Sequence, residues 1–404
     1  MADVFVCDRC GSELTVSVSR VALPVRAHQH YGHEMLPALM EPGTYAVDPE
    51  PRGAPWRPWD EVGAEEAAAL GVFAPVHSLP SGPPGAVVVA PGHTRGTVLI
   101  PDRCGGYCMG LDGRDGPNLA CAECGRAVAT RVDDCSLWQA VWLAPDAVRR
   151  VAGPATPVTG WATLMADRAG APLVEPPGHW SPQWQAAAGQ ALAHLLAASA
   201  GAPVVLPGGL VTDLFGRALD ALLPPGAYNP PGAYNPPGPY NPPGPYGPPG
   251  PHGSPGAPGS QGSARSQGSQ GSAGAQASPA RTVALSGPGV PAPAPAPDIA
   301  LVPEHPQTGA AWQPPGTAAP VSLPLDVWLG LAFPEDRSRL PVTGGLPRGV
   351  QRDDPLPLRP IWTFRPDRQV FLRRLARLPA VRQPWLRAIY DDVGAYPLLH
   401  TSVF

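Results

Sequence analysis

The chain has 404 residues, including 60 prolines and 47 glycines, and 28 basic side chains against 32 acidic ones give a net charge of −4. That balance excludes a global attraction to nucleic acid or to an anionic membrane. The length allows one or two domains with real cores, and every basic residue is an arginine, which reads as GC-rich coding and weakens any single arginine as a sign of phosphate recognition.

The first ten residues, MADVFVCDRC, show no basic region followed by an apolar run, so no signal peptide is expected. The expected compartment is the cytoplasm, where thiols stay reduced and paired cysteines usually hold metal. Short β-branched pieces follow one another through residues 1–150: VFV, LTVSVSRVALPV, GAVVVA and GTVLIP. Bounded by Gly and Pro, they read as strands, and Pro145 to Val151 reads as the start of a short helix. Trp184 to Ala200 reads as a helix with Ser181 as N-cap, Pro182 at the first position and Gly201 closing it. The sequence PVVLPGGLVTDLFGRALDALL then predicts strand, glycine turn and helix, with Leu210, Leu214, Leu219 and Leu222 on its apolar face. The most apolar window, Ala186 to Val211, is broken by Gln190, His194, Pro203 and Pro207, too interrupted to span a bilayer. No membrane partner is expected.

From Pro224 the chain runs in triplets such as PPG AYN PPG PYN, with unbroken Gly-X-Y only from Pro242 to Gly262. Asparagine fills the glycine slot at 229, 235 and 241, which argues against a collagen triple helix and for an extended linker passing into Gly/Ser/Gln-rich coil. Apolar content returns in the tail. DIALVP reads as a strand, LPLDVWLGLAF as a short strand or helix, and RQVFLRRLARL (Arg368 to Leu378) as a basic amphipathic helix with Phe371, Leu375 and Leu378 on one face. The expected organisation is 1–223 as a metal-stabilised domain, 224–297 as a disordered Pro/Gly/Ser-rich linker, and 298–404 as a C-terminal segment docked on the first domain.

The seven cysteines are 7, 10, 104, 108, 121, 124 and 135. Two pairs have the form C-x2-C-G, CDRCG at 7–11 and CAECG at 121–125. In a metal knuckle the chain turns so that backbone amides face the sulfurs, and a glycine takes the left-handed conformation this needs. Strand-like SELTVSV and RAVATRV follow the two knuckles. Cys104/Cys108 has one extra residue between its thiols, and with Cys121/Cys124 it spells C-x3-C-x12-C-x2-C, a four-thiolate shell suited to tetrahedral Zn²⁺. Iron is the lesser alternative. Cys7/Cys10 must complete a shell elsewhere. His28 and His33 give C-x2-C-x17-H-x4-H, a local loop that costs less entropy to close; the alternative carries Cys7/Cys10 across to one of the distant pairs. The local pairing predicts two zinc ions, the fused one a single ribbon with a large insertion. Cys135 reads as a buried small hydrophobe; in the fused pairing it, or a histidine, is the partner for whichever distant pair is left over.

These knuckles resemble the zinc-ribbon class, and the chain as a whole looks like a zinc-ribbon-like protein of high-GC actinobacteria. The likeness covers the residues around each knuckle and departs from the usual pattern at the x3 spacing and the distance from Cys10 to Cys104. It implies metal binding and no particular pathway. The fold class expected is α+β: small zinc-ribbon β hairpins, a helical part and the long disordered insertion. The sequence holds no H-E-x-x-H, G-x-S-x-G or Walker A motif, and the reading leans to a non-enzymatic module that meets an unknown protein partner through aromatics such as Trp56 and Trp59. The alternatives are a nucleic-acid binder using Arg359, Arg365, Arg368, Arg373, Arg374, Arg377, Arg382 and Arg387, which face only one acid, Asp367, and third a metal-dependent enzyme.

Overall fold

The computed structural model describes residues 2–33, 35–106, 108, 110–154, 157–166, 171–175, 178–223, 279–334, 360, 362–396, 400 and 403–404. The Pro/Gly-rich triplets at 224–278 lie outside them.

The first 151 residues supply the strands β1 (Ala2–Cys7), β2 (Val18–Arg20), β3 (Thr44–Asp48), β4 (Trp56–Pro58), β5 (Ser78–Pro80), β6 (Ala86–Val89), β7 (Thr97–Leu99), β8 (Leu119–Cys121), β9 (Ala127–Val132), β10 (Ala140–Leu143) and β11 (Val148–Val151). Nine of them form one sheet, in the order β11-β1-β2-β3-β6-β10-β9-β8-β7, curled into an open half-barrel. Only β2 and β3 run parallel within it. Central strands β6 and β10 are buried along their whole length, because both faces of the sheet are covered. Side chains alternate across a strand, so Val87 and Val89 pack with Phe5, Leu14, Tyr45, Val141 and Leu143. Ala86 and Val88 go to the opposite face with Leu39, Met40, Ala140 and Trp142.

Seven helices, α1 (Trp59–Ala69), α2 (Trp161–Ala166), α3 (Pro182–Ser199), α4 (Gly209–Leu222), α5 (Leu325–Ala332), α6 (Arg368–Ala376) and α7 (Pro384–Ala395), form among the described residues. A second, parallel sheet runs β12 (Val204–Val205), β13 (Arg281–Leu285), β14 (Ile299–Glu304) and β15 (Ala319–Pro324). Helix α3 lies at the centre of this half. Its alanines let neighbours approach closely, and at Gly189 even a Cβ would stand 2.4 Å from the Asp367 carbonyl oxygen at the start of α6. Asp367 caps α6 by accepting from the Val370 amide at 2.8 Å, which fixes one orphan N–H of the helix. Phe371 and Leu375 then turn into the same core as Val62, Leu192 and Val393.

One buried side chain joins the two halves. Gln29, 1% exposed, donates through Nε2 to the Pro182 carbonyl at 3.0 Å and to Asp367 Oδ2 at 2.9 Å, while its Oε1 accepts from Trp138 Nε1 at 3.1 Å. Trp138 belongs to the nine-stranded half, Pro182 opens α3 and Asp367 caps α6.

Several elements fall where the sequence predicts them: β1, β6, β7, β9, β14, α3, α4 and α6. Ser181 takes the extended N-cap conformation without a side-chain capping bond, and Ala200 and Gly201 both turn left-handed at the end of α3. Other expectations change. The hairpins merge into one nine-stranded sheet. Pro145 to Val151 yields the strand β11 rather than a helix, since Val148–Val151 supplies the antiparallel partner of β1 from Val4 to Cys7. LPLDVWLGLAF becomes the end of β15 followed by α5. The segment read as linker up to residue 297 contains β13, whose RTVAL pairs in parallel with β12 and β14. Among the described residues no helix is long and apolar enough to cross a membrane.

Candidate metal centre

The curl of the large sheet brings the end of β1 beside the end of β8. Residues 14–16 bridge to 93–95 across the gap, with Val16 N donating to the His93 carbonyl at 3.0 Å and Arg95 N to the Leu14 carbonyl at 2.9 Å. Cys7 is the last residue of β1 and Cys121 the last of β8, so both strands deliver a thiol to the same place.

The two turns that follow are built alike. Cys7 N donates to the Ser12 carbonyl at 2.8 Å and Gly11 N returns to the Cys7 carbonyl at 2.8 Å. Cys121 N donates to the Arg126 carbonyl at 2.8 Å and Gly125 N to the Cys121 carbonyl at 2.9 Å. Gly11 (φ 79°) and Gly125 (φ 71°) take the left-handed conformation that closes each turn. The knuckles face each other with Cys7 Sγ 3.6 Å from Cys124 Sγ and Cys10 Sγ 3.6 Å from Cys121 Sγ. Cys7 and Cys121 are fully buried, and the ligand atoms of all four cysteines lie within 4.8 Å of one another. These separations exceed a disulfide bond of about 2.05 Å. Four thiolates held about 2.3 Å from a tetrahedral Zn²⁺ stand roughly 3.8 Å apart, and the cluster is close to that spacing. It could hold a metal.

The local field is uneven. Contacts with the hydroxyl and the amide of Ser12 draw the Cys10 thiol down to about 6. At Cys124 the Arg126 amide acts in the same sense, but burial and the neighbouring thiols outweigh it and push that thiol up to about 11. Amides two residues beyond the second cysteine of each knuckle thus approach the sulfur, as a metal knuckle requires.

The other candidate ligands sit elsewhere. The structure does not bring His28 and His33 to Cys7 and Cys10, nor Cys104 and Cys108 to Cys121 and Cys124. Cys104 Sγ lies 3.2 Å from the Ile100 carbonyl. His28 Nε2 lies 3.2 Å from Asp48 Oδ2, and its ring stacks on Trp142 at 6.1 Å between centroids. With Glu50 these two make a further group whose ligand atoms lie within 4.8 Å of one another. His33 and Cys108 meet Cys135 in another group of the same dimension, His33 Nδ1 being 3.7 Å from Cys135 Sγ. The role of Cys135 has no sequence signature, because its two neighbours come from remote segments with no spacing rule between them.

Beside Glu50 opens a cavity of 660 Å³ lined by, among others, His28, Glu50, Arg150, Glu304, Arg373 and Arg374. Burial pushes the Glu304 carboxyl up to about 7, against the opposing pull of Arg374 and Ser322. The arginine-rich tail is mostly engaged with the protein itself. Arg373 pairs with Glu50, and Arg377 Nε lies 2.8 Å from the same carboxylate. Arg368 donates to the Val393 carbonyl at 2.9 Å, Arg387 pairs with Asp391 at 2.8 Å, and Arg382 lies over the Phe73 ring at 4.8 Å. The Arg365 carbonyl accepts from Gln185. Arg359 lies outside the described residues. Of the two tryptophans in PWRPWD, Trp56 is exposed and Trp59 packs against the helical core.

Fold and site together define a mixed α/β protein with a four-cysteine cluster that could bind a metal. Comparison with protein-family models, with curated proteins and with solved structures finds no match to this chain.

Proposed function

We propose that the chain is a zinc-stapled, non-catalytic protein-interaction module. The observation that carries this reading is the convergence of Cys7, Cys10, Cys121 and Cys124 from two matched knuckles. Four thiolates fill every position of a tetrahedral shell, so a zinc ion held there has no position left for substrate; that is the chemistry of a structural site. The metal clamps β1 to β8 and keeps the half-barrel curled. Soft thiolates favour zinc among the abundant divalent ions. The interaction part rests on exposed aromatics held in place by the fold. Trp362 is 69% exposed while its own carbonyl accepts a 2.7 Å bond from Trp180 Nε1. A fixed, exposed tryptophan is the type of side chain that carries interface energy.

Two measurements test this. Protein purified without added metal should carry zinc at the four-cysteine centre, and Cys7→Ser with Cys121→Ser should remove that zinc and melt the large sheet, seen as lost far-ultraviolet strand signal. Full zinc content and an unchanged melting temperature in the double variant would refute the staple. For the interaction, a protein that the tagged wild type captures from lysate of its native host should be captured at least tenfold less by Trp362→Ala, with zinc content and melting temperature unchanged. Equal capture by Trp362→Ala would refute the assigned surface.

A further inference from the structure

We propose that His33, Cys108 and Cys135 form a second zinc site, separate from the four-cysteine centre, whose fourth position is open to water or to a small exchangeable ligand bearing a nitrogen or sulfur lone pair. Three parts of the chain build it. Cys135 is buried beyond the end of β9, while His33 and Cys108 are exposed. One ligand atom from each lies within 4.8 Å of the others. A Cys2His set with one vacant direction is a known coordination pattern for zinc that keeps a solvent-derived ligand.

The surroundings hold these three residues in place for that task. Asp134, 1% exposed, accepts from the Cys108 amide at 3.1 Å, the Gly110 amide at 3.1 Å and the Cys135 amide at 2.8 Å. A single buried carboxylate thereby fixes the backbone of two of the three ligands, the way outer groups orient a metal's ligands. Gly106 and Gly110, on either side of Cys108, approach so closely that a Cβ at Gly106 would stand 1.5 Å from the Gly110 carbonyl oxygen. On the other side, Tyr31 N donates to the Ser136 carbonyl at 2.9 Å, and His30 bridges to Leu137, which pins the His33 turn over Cys135. Ser136 has φ 69°, a left-handed conformation that is strained for a non-glycine residue and that clusters at functional sites. Zinc binding releases the two thiol protons to solvent and leaves both sulfurs as thiolates.

The site is tested on the full chain, purified reduced and loaded with zinc. The wild type should carry two zinc ions. A colorimetric zinc indicator should withdraw one of them quickly, since an open site exchanges faster than a closed four-thiolate site. His33→Ala alters only an exposed loop residue, so it should fold normally by near-ultraviolet circular dichroism and carry one zinc that resists the indicator. Asp134→Asn, a positioning change, should weaken the exchangeable zinc roughly 10–100-fold by competition titration. When the exchangeable zinc is replaced by cobalt, added imidazole should shift the visible absorption of the wild type and leave that of a sample lacking the second site unchanged. The proposal is overturned if wild type and His33→Ala carry the same zinc content, and the open position is overturned if the cobalt spectrum ignores imidazole. Loss of the indicator-reactive zinc in His33→Ala with retention of the indicator-resistant zinc distinguishes the two sites.

Discussion

Replacing Gln29 by leucine should open the seam between the two halves of the molecule. The side chains are similar in size, so the change removes hydrogen bonds rather than volume. Three contacts go: to the Pro182 carbonyl at 3.0 Å, to Asp367 Oδ2 at 2.9 Å and from Trp138 Nε1 at 3.1 Å, all at a residue 1% exposed. A neutral bond is worth about 1 kcal/mol net and one to a carboxylate about 2 kcal/mol, and the partners left behind stay buried. The total loss is therefore about 4 kcal/mol, a large part of the 5–15 kcal/mol of a typical fold. Burial already holds the Asp367 carboxyl above its ordinary range, with Gln29 opposing that rise. In the variant the carboxyl climbs further, so the deficit should shrink as pH falls and Asp367 takes up its proton. Urea unfolding of zinc-loaded protein, followed by tryptophan fluorescence and by far-ultraviolet circular dichroism, measures the loss and checks that both signals move together. A loss below about 1 kcal/mol at neutral pH would refute the reasoning, because the three bonds would then not join the halves in solution.

Glu304 predicts a pH effect of definite sign. Its folded value of about 7 lies above its ordinary 4.5, so its contribution is full below 4.5 and is lost as pH rises through 7. Glu304→Gln should gain up to about 3 kcal/mol relative to the wild type at pH 8 and nothing at pH 4, measured by urea midpoints across that range; parallel pH profiles for the two proteins would contradict it. Gly189→Ala sets a Cβ against the Asp367 carbonyl oxygen and should cost about 1–3 kcal/mol, read as a lower melting temperature with faster amide exchange at the start of α6. An unchanged melting temperature would show that α6 does not pack against α3 this closely.

Local signals were legible where the chemistry was local. Ser181-Pro182 marked the start of α3, and the glycine after each C-x2-C marked a knuckle. The pairing of the knuckles was harder to read. Closing a loop of about 110 residues rather than about 20 costs only about 1.5 kcal/mol more, far less than the 10–16 kcal/mol of a structural zinc in small peptides, so loop length could not choose the partner. The matched form of CDRCG and CAECG was the better guide, since Cys104/Cys108 has a different spacing and no glycine directly after its second thiol. Strand order was illegible for a related reason. A piece such as RTVAL shows that it can extend, but not which strands it will join; β13 pairs with β12 across the Pro/Gly-rich triplets and with β14 on its own side of them.

The distance in sequence between the two knuckles also sets an order of events during synthesis. Cys7 and Cys10 leave the ribosome more than a hundred residues ahead of Cys121 and Cys124. At 5–20 residues per second that is an interval of roughly 5–25 s, and the outer neighbour of β1, Val148–Val151, comes later still. Through this interval the nascent chain holds two of the four thiols and a strand without its outer partner. The four thiols can therefore meet only after six of the nine strands of the large sheet have been made, so their convergence marks a late step in the assembly of this half of the chain.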